Sequence, residues 1–320
     1  MFLMCSLNRK SIFMELKRDE NKNMSGGIEV RLKKRDYSGY LFVGPAMCFI
    51  LAFAIIPIGM TIYYSMTKFD IINPPVFTGL ANYKRLLADL SVRTAIKNTL
   101  LYTVIAVPLQ TIFAVILASM IALHRPNRFA GFVKSAMFVP VISSMILVGS
   151  IWGIMFTAQN GLINAFLNWF HIPSVNWLGS SKTAMISICI VGIWKNVGYF
   201  MVIYIAAINN ISRSLYEAAK IDGATPLQSF LHITLPLIRP YTFMVVILGT
   251  IWSFQMFDLA YTMTGGGPGQ ATMTLVYLVY NTAYRNCEMG YACSIAMLLF
   301  AIVVVISIIQ RKLLGKSKED

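Results

Sequence analysis

The chain has 320 residues, of which 57% are hydrophobic and 12% charged, with a net charge of +14 and a mean hydropathy of +0.66. A soluble domain carries about 25% charged residues, and a chain this short cannot bury apolar blocks of this size on every side in water. Most of it therefore belongs in lipid. Three histidines and thirteen scattered carboxylates give no basis for a metalloenzyme or a two-carboxylate hydrolase. The basic residues sit in short stretches beside the apolar blocks, which sets membrane orientation rather than nucleic-acid binding. The cysteines at 5, 48, 189, 287 and 293 have no ligand spacing, so neither a disulfide nor a metal is expected.

In chain order, the expected fold is all-α with six membrane helices. A basic tail fills 1–40, and a six-span domain fills 41–314. The spans are expected at 41–66, 98–123, 135–156, 183–208, 241–263 and 290–309, each long enough for the hydrocarbon core. Residues 315–320 form a second tail. The first span follows some forty residues of polar segment and lacks a small-residue cleavage site, so it reads as a membrane helix and not a signal peptide. The methionines at 14 and 24 leave the start of translation open. An even number of spans puts both ends on one side. The segments on that side hold 19 basic residues against seven on the other, and Arg31, Lys33, Lys34 and Arg35 beside the first span weigh most. Both termini are expected in the cytoplasm.

The segment 209–240 between the fourth and fifth spans is locally well defined. Ser214 and Glu217 fit a capping box, and Gly223 suits the left-handed position that ends a helix, bracketing a short helix over 215–222. Thr225 and Gln228 repeat the device, with Pro226 at the first helical position. Pro236 and Pro240 are expected to stop what precedes the fifth span. Two-turn helices are unstable alone in water, so they need a packing surface. That surface is either the chain's own helix ends or a partner groove into which Ala218 and Ala219 let the backbone sink, with Glu217 and Asp222 fixing register.

Glu217-Ala218-Ala219, then Gly223, then Ile233, Leu235 and Pro236 have the spacing of the EAA loop of bacterial ABC importer permeases, which this chain resembles. The stretches Phe77–Tyr83, Asn176–Leu178, Thr264–Pro268 and Glu217–Ala224 are similar to the carbohydrate-uptake branch, the MalF and UgpA kind. The resemblance runs from about Tyr40 to Leu314. The maltose permease of that branch has extra spans and a large external domain, so the likeness is to its compact six-span members.

The resemblance implies a coupling helix at Glu217, Ala218, Ala219, Asp222 and Gly223. It also implies a second six-span permease as heterodimer partner, two cytoplasmic ATPase subunits, and an external solute-binding protein that delivers a sugar or oligosaccharide. ATP and Mg belong on the ATPase partner and no cofactor is expected in this chain. A permease for glycerol-phosphate or another polar solute, and a stand-alone secondary transporter, are the alternatives. The string Gln310–Ser317 lacks the first glycine of a P-loop and follows a membrane helix, so no ATP hydrolysis is expected here. The glycines at 265–269 are expected to make a turn.

Polar groups at bilayer depth are costly and invite a functional reading. Trp194, Asn196 and Tyr199 in the fourth span and Gln255 and Asp258 in the fifth are the candidate substrate contacts, with Gln255 and Asp258 expected on one helix face. The competing reading is that such groups only bond neighbouring helices, and that Lys195 and Asp258 pair or reach for the interface. Asn164, Trp169 and Trp177 are expected to dock the binding protein or anchor the membrane boundary.

Overall fold

A computed structural model describes residues 38–122 and 128–314. The basic cluster Arg31–Arg35, the methionines at 1, 14 and 24, Cys5, Arg125, Lys316 and Lys318 lie outside the described residues. Contacts divide the chain into Met1–Pro57 and Ile58–Asp320. The described part of the first unit is helical from Ser38, and its apolar length Phe42–Ser65 is the span of α1. A π-helical stretch at Leu51–Ile55, in which the Ile56 amide reaches back to the Leu51 carbonyl, precedes Pro57. A wider turn there accommodates a proline ring that has no N–H to give.

Beyond the end of α1 the second unit forms a two-stranded antiparallel ribbon, β1 (Thr67–Lys68) and β2 (Val76–Phe77), in register Thr67 to Phe77. Its turn is held by Asp70, whose Oδ1 accepts from the amides of Ile72 at 3.2 Å and Asn73 at 2.8 Å. Next come α2 (Ala81–Ala88) and α3 (Leu90–Ala122). The 33 residues of α3 span roughly 50 Å, more than the ~30 Å hydrocarbon core. It therefore starts well before the apolar run expected from 98, and its early Arg93 and Lys97 are exposed.

The third span is not one straight rod. α4 (Arg128–Ile142) and α5 (Met145–Met155) meet at 104° across Ser143 and Ser144. Ser144 is extended (ψ 134°), and Pro140 lies just upstream. α6 (Leu162–Trp169) is short, and α7 (Ala184–Asn209) is the fourth span. α8 (Arg213–Ile221) leads to α9 (Pro226–Leu237), which contains a π stretch at Phe230–Thr234 and meets α10 (Arg239–Phe254) at 68°. The break falls at Ile238, between Pro236 and Pro240. Pro236 rides inside the helix, and Pro240 opens α10. α10 ends at Phe254, so the fifth span is interrupted at Gln255–Phe257 before a π turn at Ala260–Thr264.

The glycine loop follows, with positive φ at Gly265, Gly266 and Gly269. It is pinned by the Tyr277 hydroxyl on the Gly265 carbonyl (2.7 Å) and by Asn98 Nδ2 on the carbonyls of Gln270 and Met273. α11 (Leu275–Tyr280) and α12 (Met289–Leu314) complete the chain. Among the described residues four helices are long and apolar enough to cross a membrane, and counting each bent pair as one span gives six.

The core is built on α3 against α7. Ala106, Ala114 and Ala118 of α3 and Gly192 and Gly198 of α7 are small, and small residues are what let membrane helices approach closely. A Cβ on Gly192 would meet the Tyr102 hydroxyl, and one on Gly198 would meet the Met137 carbonyl of α4. Threonines inside α3 spend their hydroxyls on their own backbone, Thr99 on Ala95 and Thr103 on Thr99 at 2.8 Å each. That is how a polar group is tolerated in an apolar interior. A second cluster joins Leu86, Val92, Leu275, Tyr291 and Ile295. Beside it Arg85 forks onto the Glu288 carboxylate (2.9 and 2.8 Å) and lies 4.0 Å over the Tyr291 ring.

Candidate functional site

The loop between α7 and α10 forms as two helices meeting at Gly223. α8 starts two residues earlier than Ser214 suggests. Ser212, extended at ψ 130°, is the flanking residue, Ser214 lies in the first turn, and no side chain caps the end. Ser214 instead shares a hydrogen bond with Ser212 at 2.7 Å. The expected Ser214–Glu217 capping box is therefore absent: α7 ends at Asn209, and the chain re-enters helix after only three residues, Asn210 to Ser212. Glu217 consequently stands in the second turn of α8, exposed.

The C-terminal signal matches expectation. Gly223 has φ +78°, its amide donates to the Lys220 carbonyl at 3.2 Å, and the Ala224 amide donates to Ala219 at 2.9 Å. These bonds use helix-end carbonyls that would otherwise be orphaned. The second cap forms in full: the Gln228 amide donates to Thr225 Oγ1 at 3.3 Å, and the Thr225 amide donates to Gln228 Oε1 at 2.7 Å.

Across the loop, the Tyr216 and Thr234 hydroxyls bond at 2.8 Å, with Thr234 fully buried. Phe230 and Ile211 pack on the main core. One side of the two-helix unit thus rests on the bundle. The other side is open, and a cleft of about 340 Å³ there is lined by Ala219, Asp222, Gly223, Gln228 and His232. Ala218 is exposed beside it, and Ile221 at the end of α8 is 86% exposed.

The polar residues at bilayer depth separate into two groups. On α7, Asn196 Nδ2 donates to Gln110 Oε1 of α3 at 3.3 Å, and Gln110 is fully buried with its Nε2 unpartnered. Tyr199 packs on Trp252 of α10, ring centroids 4.9 Å apart, and Trp194 on Trp152 of α5 at 5.4 Å. On the other side of α10 the pairing of Gln255 with Asp258 on one face does not occur. Gln255 is the residue that closes α10, exposed, and Met256 and Phe257 are not helical, so no i, i+3 face connects them. The Met256 carbonyl left free by the break accepts from the buried Thr274 hydroxyl at 2.8 Å.

Lys195 and Asp258 form no ion pair within 4.0 Å; Lys195 Nζ donates to the Val141 carbonyl at 3.3 Å. Gln110, Trp252 and Thr274 were not singled out from sequence. Gln110 carried the clearest signal, a lone amide in the apolar run of α3.

Asn164 does not face outward. It is 2% exposed, and its amide knits the loop after α5, donating to Ala158 and Val175 carbonyls and accepting from the Trp177 indole at 2.9 Å. Trp177 in turn packs on Phe156. Trp169 alone of the three is open, at 78%.

The family model for binding-protein-dependent transport system inner membrane components matches residues 110–316. The chain belongs to that family. As a member of it, the chain is similar to the probable ABC transporter permease protein YurN of Bacillus subtilis, 34% identical over 88% of this chain and 97% of the relative. It is 31% identical to the trehalose/maltose transport system permease protein MalF of Thermococcus litoralis, over 93% and 100%. Its fold matches a chain of a bacterial alginate ABC transporter, solved in complex with an alginate pentasaccharide-bound periplasmic protein. There the TM-score is 0.76 at 21% identity, covering 87% of this chain and 94% of that one.

Proposed function

We propose that this inner-membrane component is the permease half of an ABC importer that takes up a sugar or oligosaccharide handed over by an external binding protein. It pairs with a second six-span permease and with two ATPase subunits in the cytoplasm, and both of its ends lie on the cytoplasmic side. ATP and Mg are held by the ATPase partner, and this chain does no covalent chemistry.

The observation that carries the reading is the loop helix. α8 is ended by Gly223, tied to α9 through Tyr216 and Thr234, and open on the opposite face, where Glu217, Ala218 and Asp222 stand beside the bare Ile221. A short rigid knuckle with one seated and one open face suits transmission of force from a partner whose groove receives it. Glu217, Ala218, Ala219, Asp222 and Gly223 make that contact. The sugar assignment is supported by the trehalose/maltose permease relative and by the motifs shared with the carbohydrate-uptake branch. Trp194, Asn196, Tyr199, Gln255 and Asp258 remain candidates for the solute path. Asn196 and Tyr199 also serve helix packing, through Gln110 and Trp252.

The test is uptake by the reconstituted assembly. Labelled sugar should accumulate only with binding protein, ATPase and ATP present together. Accumulation without the ATPase, or none for any mono- or oligosaccharide tried, would overturn the reading.

A further inference from the structure

α6 is an amphipathic helix turned the wrong way for water. At 3.6 residues per turn, Leu162, Ala165, Phe166 and Trp169 fall within an arc of roughly 100°. All four are exposed, Leu162 by 67%, Phe166 by 58% and Trp169 by 78%, and the following Phe170 by 61%. The opposite side carries Asn164, buried and held by the carbonyls of Ala158 and Val175 and by the Trp177 indole, and Ile163, which packs on the core. The polar side chain is therefore inside and the large apolar ones are outside, the reverse of a helix that faces water. Rotation cannot correct this, because the Asn164 bonds fix the helix about its own axis.

We propose that α6 lies along the membrane–water boundary, with Leu162, Phe166 and Trp169 inserted among phospholipid acyl chains at headgroup depth. Three observations select lipid as the occupant. The segment 157–181 contains no Asp, Glu, Lys or Arg, so it offers no charge to a soluble partner. The flanking membrane helices also turn large apolar side chains outward, Leu147, Ile151 and Ile154 on α5 and Ile186 and Ile190 on α7, the surface a span presents to lipid. The ring chemistry fits too: tryptophan with flanking phenylalanine is what the boundary layer favours. Asn168 and Ser174, hydrogen-bonded to each other at 3.2 Å, form the wet rim.

The test uses the importer purified with its co-expressed partner subunits through a tag on this chain. It is reconstituted in phosphatidylcholine vesicles and in vesicles of the same lipid brominated on its acyl chains. The emission lost on Trp169→Phe isolates that indole from the others. Brominated lipid should quench this difference emission at least about two-fold more than aqueous iodide does, as a ring at the boundary requires. Difference emission indifferent to brominated lipid would overturn the proposal: quenched by iodide, the ring stands in water; quenched by neither, a protein covers the face.

Paired cysteine variants on the same helix guard against a folding artefact. Asn168→Cys should react with a membrane-impermeant maleimide faster than Phe166→Cys, each counted as the increment over the parent chain. Equal labelling of the two would also overturn it.

Discussion

Gly223 has φ +78° and no atom within 4 Å of where a Cβ would stand. A side chain there meets no obstacle within the chain; it meets the backbone's own preference, about 1–2 kcal/mol for a residue held in the left-handed region. Gly223→Val should therefore unwind or redirect the end of α8 while leaving insertion intact. We expect uptake per inserted chain to fall about tenfold or more, since 1.4 kcal/mol is a factor of ten; uptake equal to wild type at equal membrane content would refute the coupling role. Thr225→Ala removes the second cap and should lower the stability of the loop by about 1 kcal/mol. Faster amide exchange confined to 225–234 would be its signature.

Asp89 gives a pH-dependent case. Burial alone would raise its carboxyl, but the Tyr291 hydroxyl at 2.8 Å and the amides of Ser91 and Val92 more than offset it, and the group sits below the ordinary carboxylate range. A depressed folded value means the contribution is complete above the ordinary range and is lost as pH falls through the lowered value. The melting temperature of wild type should drop more steeply than that of Asp89→Asn between about pH 5 and about pH 2.

Among elements, the two interrupted spans show where sequence pattern stops being informative. The apolar run passes through Ser143–Ser144 and Gln255–Phe257 without a charge, and composition carries no direction. A 104° corner and a mid-span break look like continuous helix in such a count. The second break depends on Thr274, eighteen residues away, which takes up the Met256 carbonyl. Thr274→Val keeps the shape and strands that carbonyl, at a loss of about 1–3 kcal/mol; thermal unfolding of the purified assembly would register it. The caps at Gly223 and Thr225 were legible because they are local, closed within four residues. Ser212 was not, because its role depends on where α7 ends. The α3–α7 seam was only partly legible: its alanines look like ordinary apolar residues until Gly192 is placed against the Tyr102 hydroxyl. Gly198→Leu should cost at least about 1–3 kcal/mol, because backbone on α4 cannot yield as a side chain can.

At the scale of the molecule, the family was readable in the spacing from Glu217 to Pro236, and the helical membrane fold followed from its apolar blocks. The packing of the polar and aromatic groups at bilayer depth was not readable. Gln110 meets Asn196 and Trp252 meets Tyr199 only when three helices come together, and no single stretch of chain announces that meeting.

The open face of the loop has one more consequence. Ile221 is 86% exposed, Leu227 66% and Leu231 46%, three greasy side chains that nothing among the described residues shelters. If the proposed ATPase subunit covers this face, a chain made without it would display them to the cell's quality-control proteases, and the supply of that subunit would set how many copies survive.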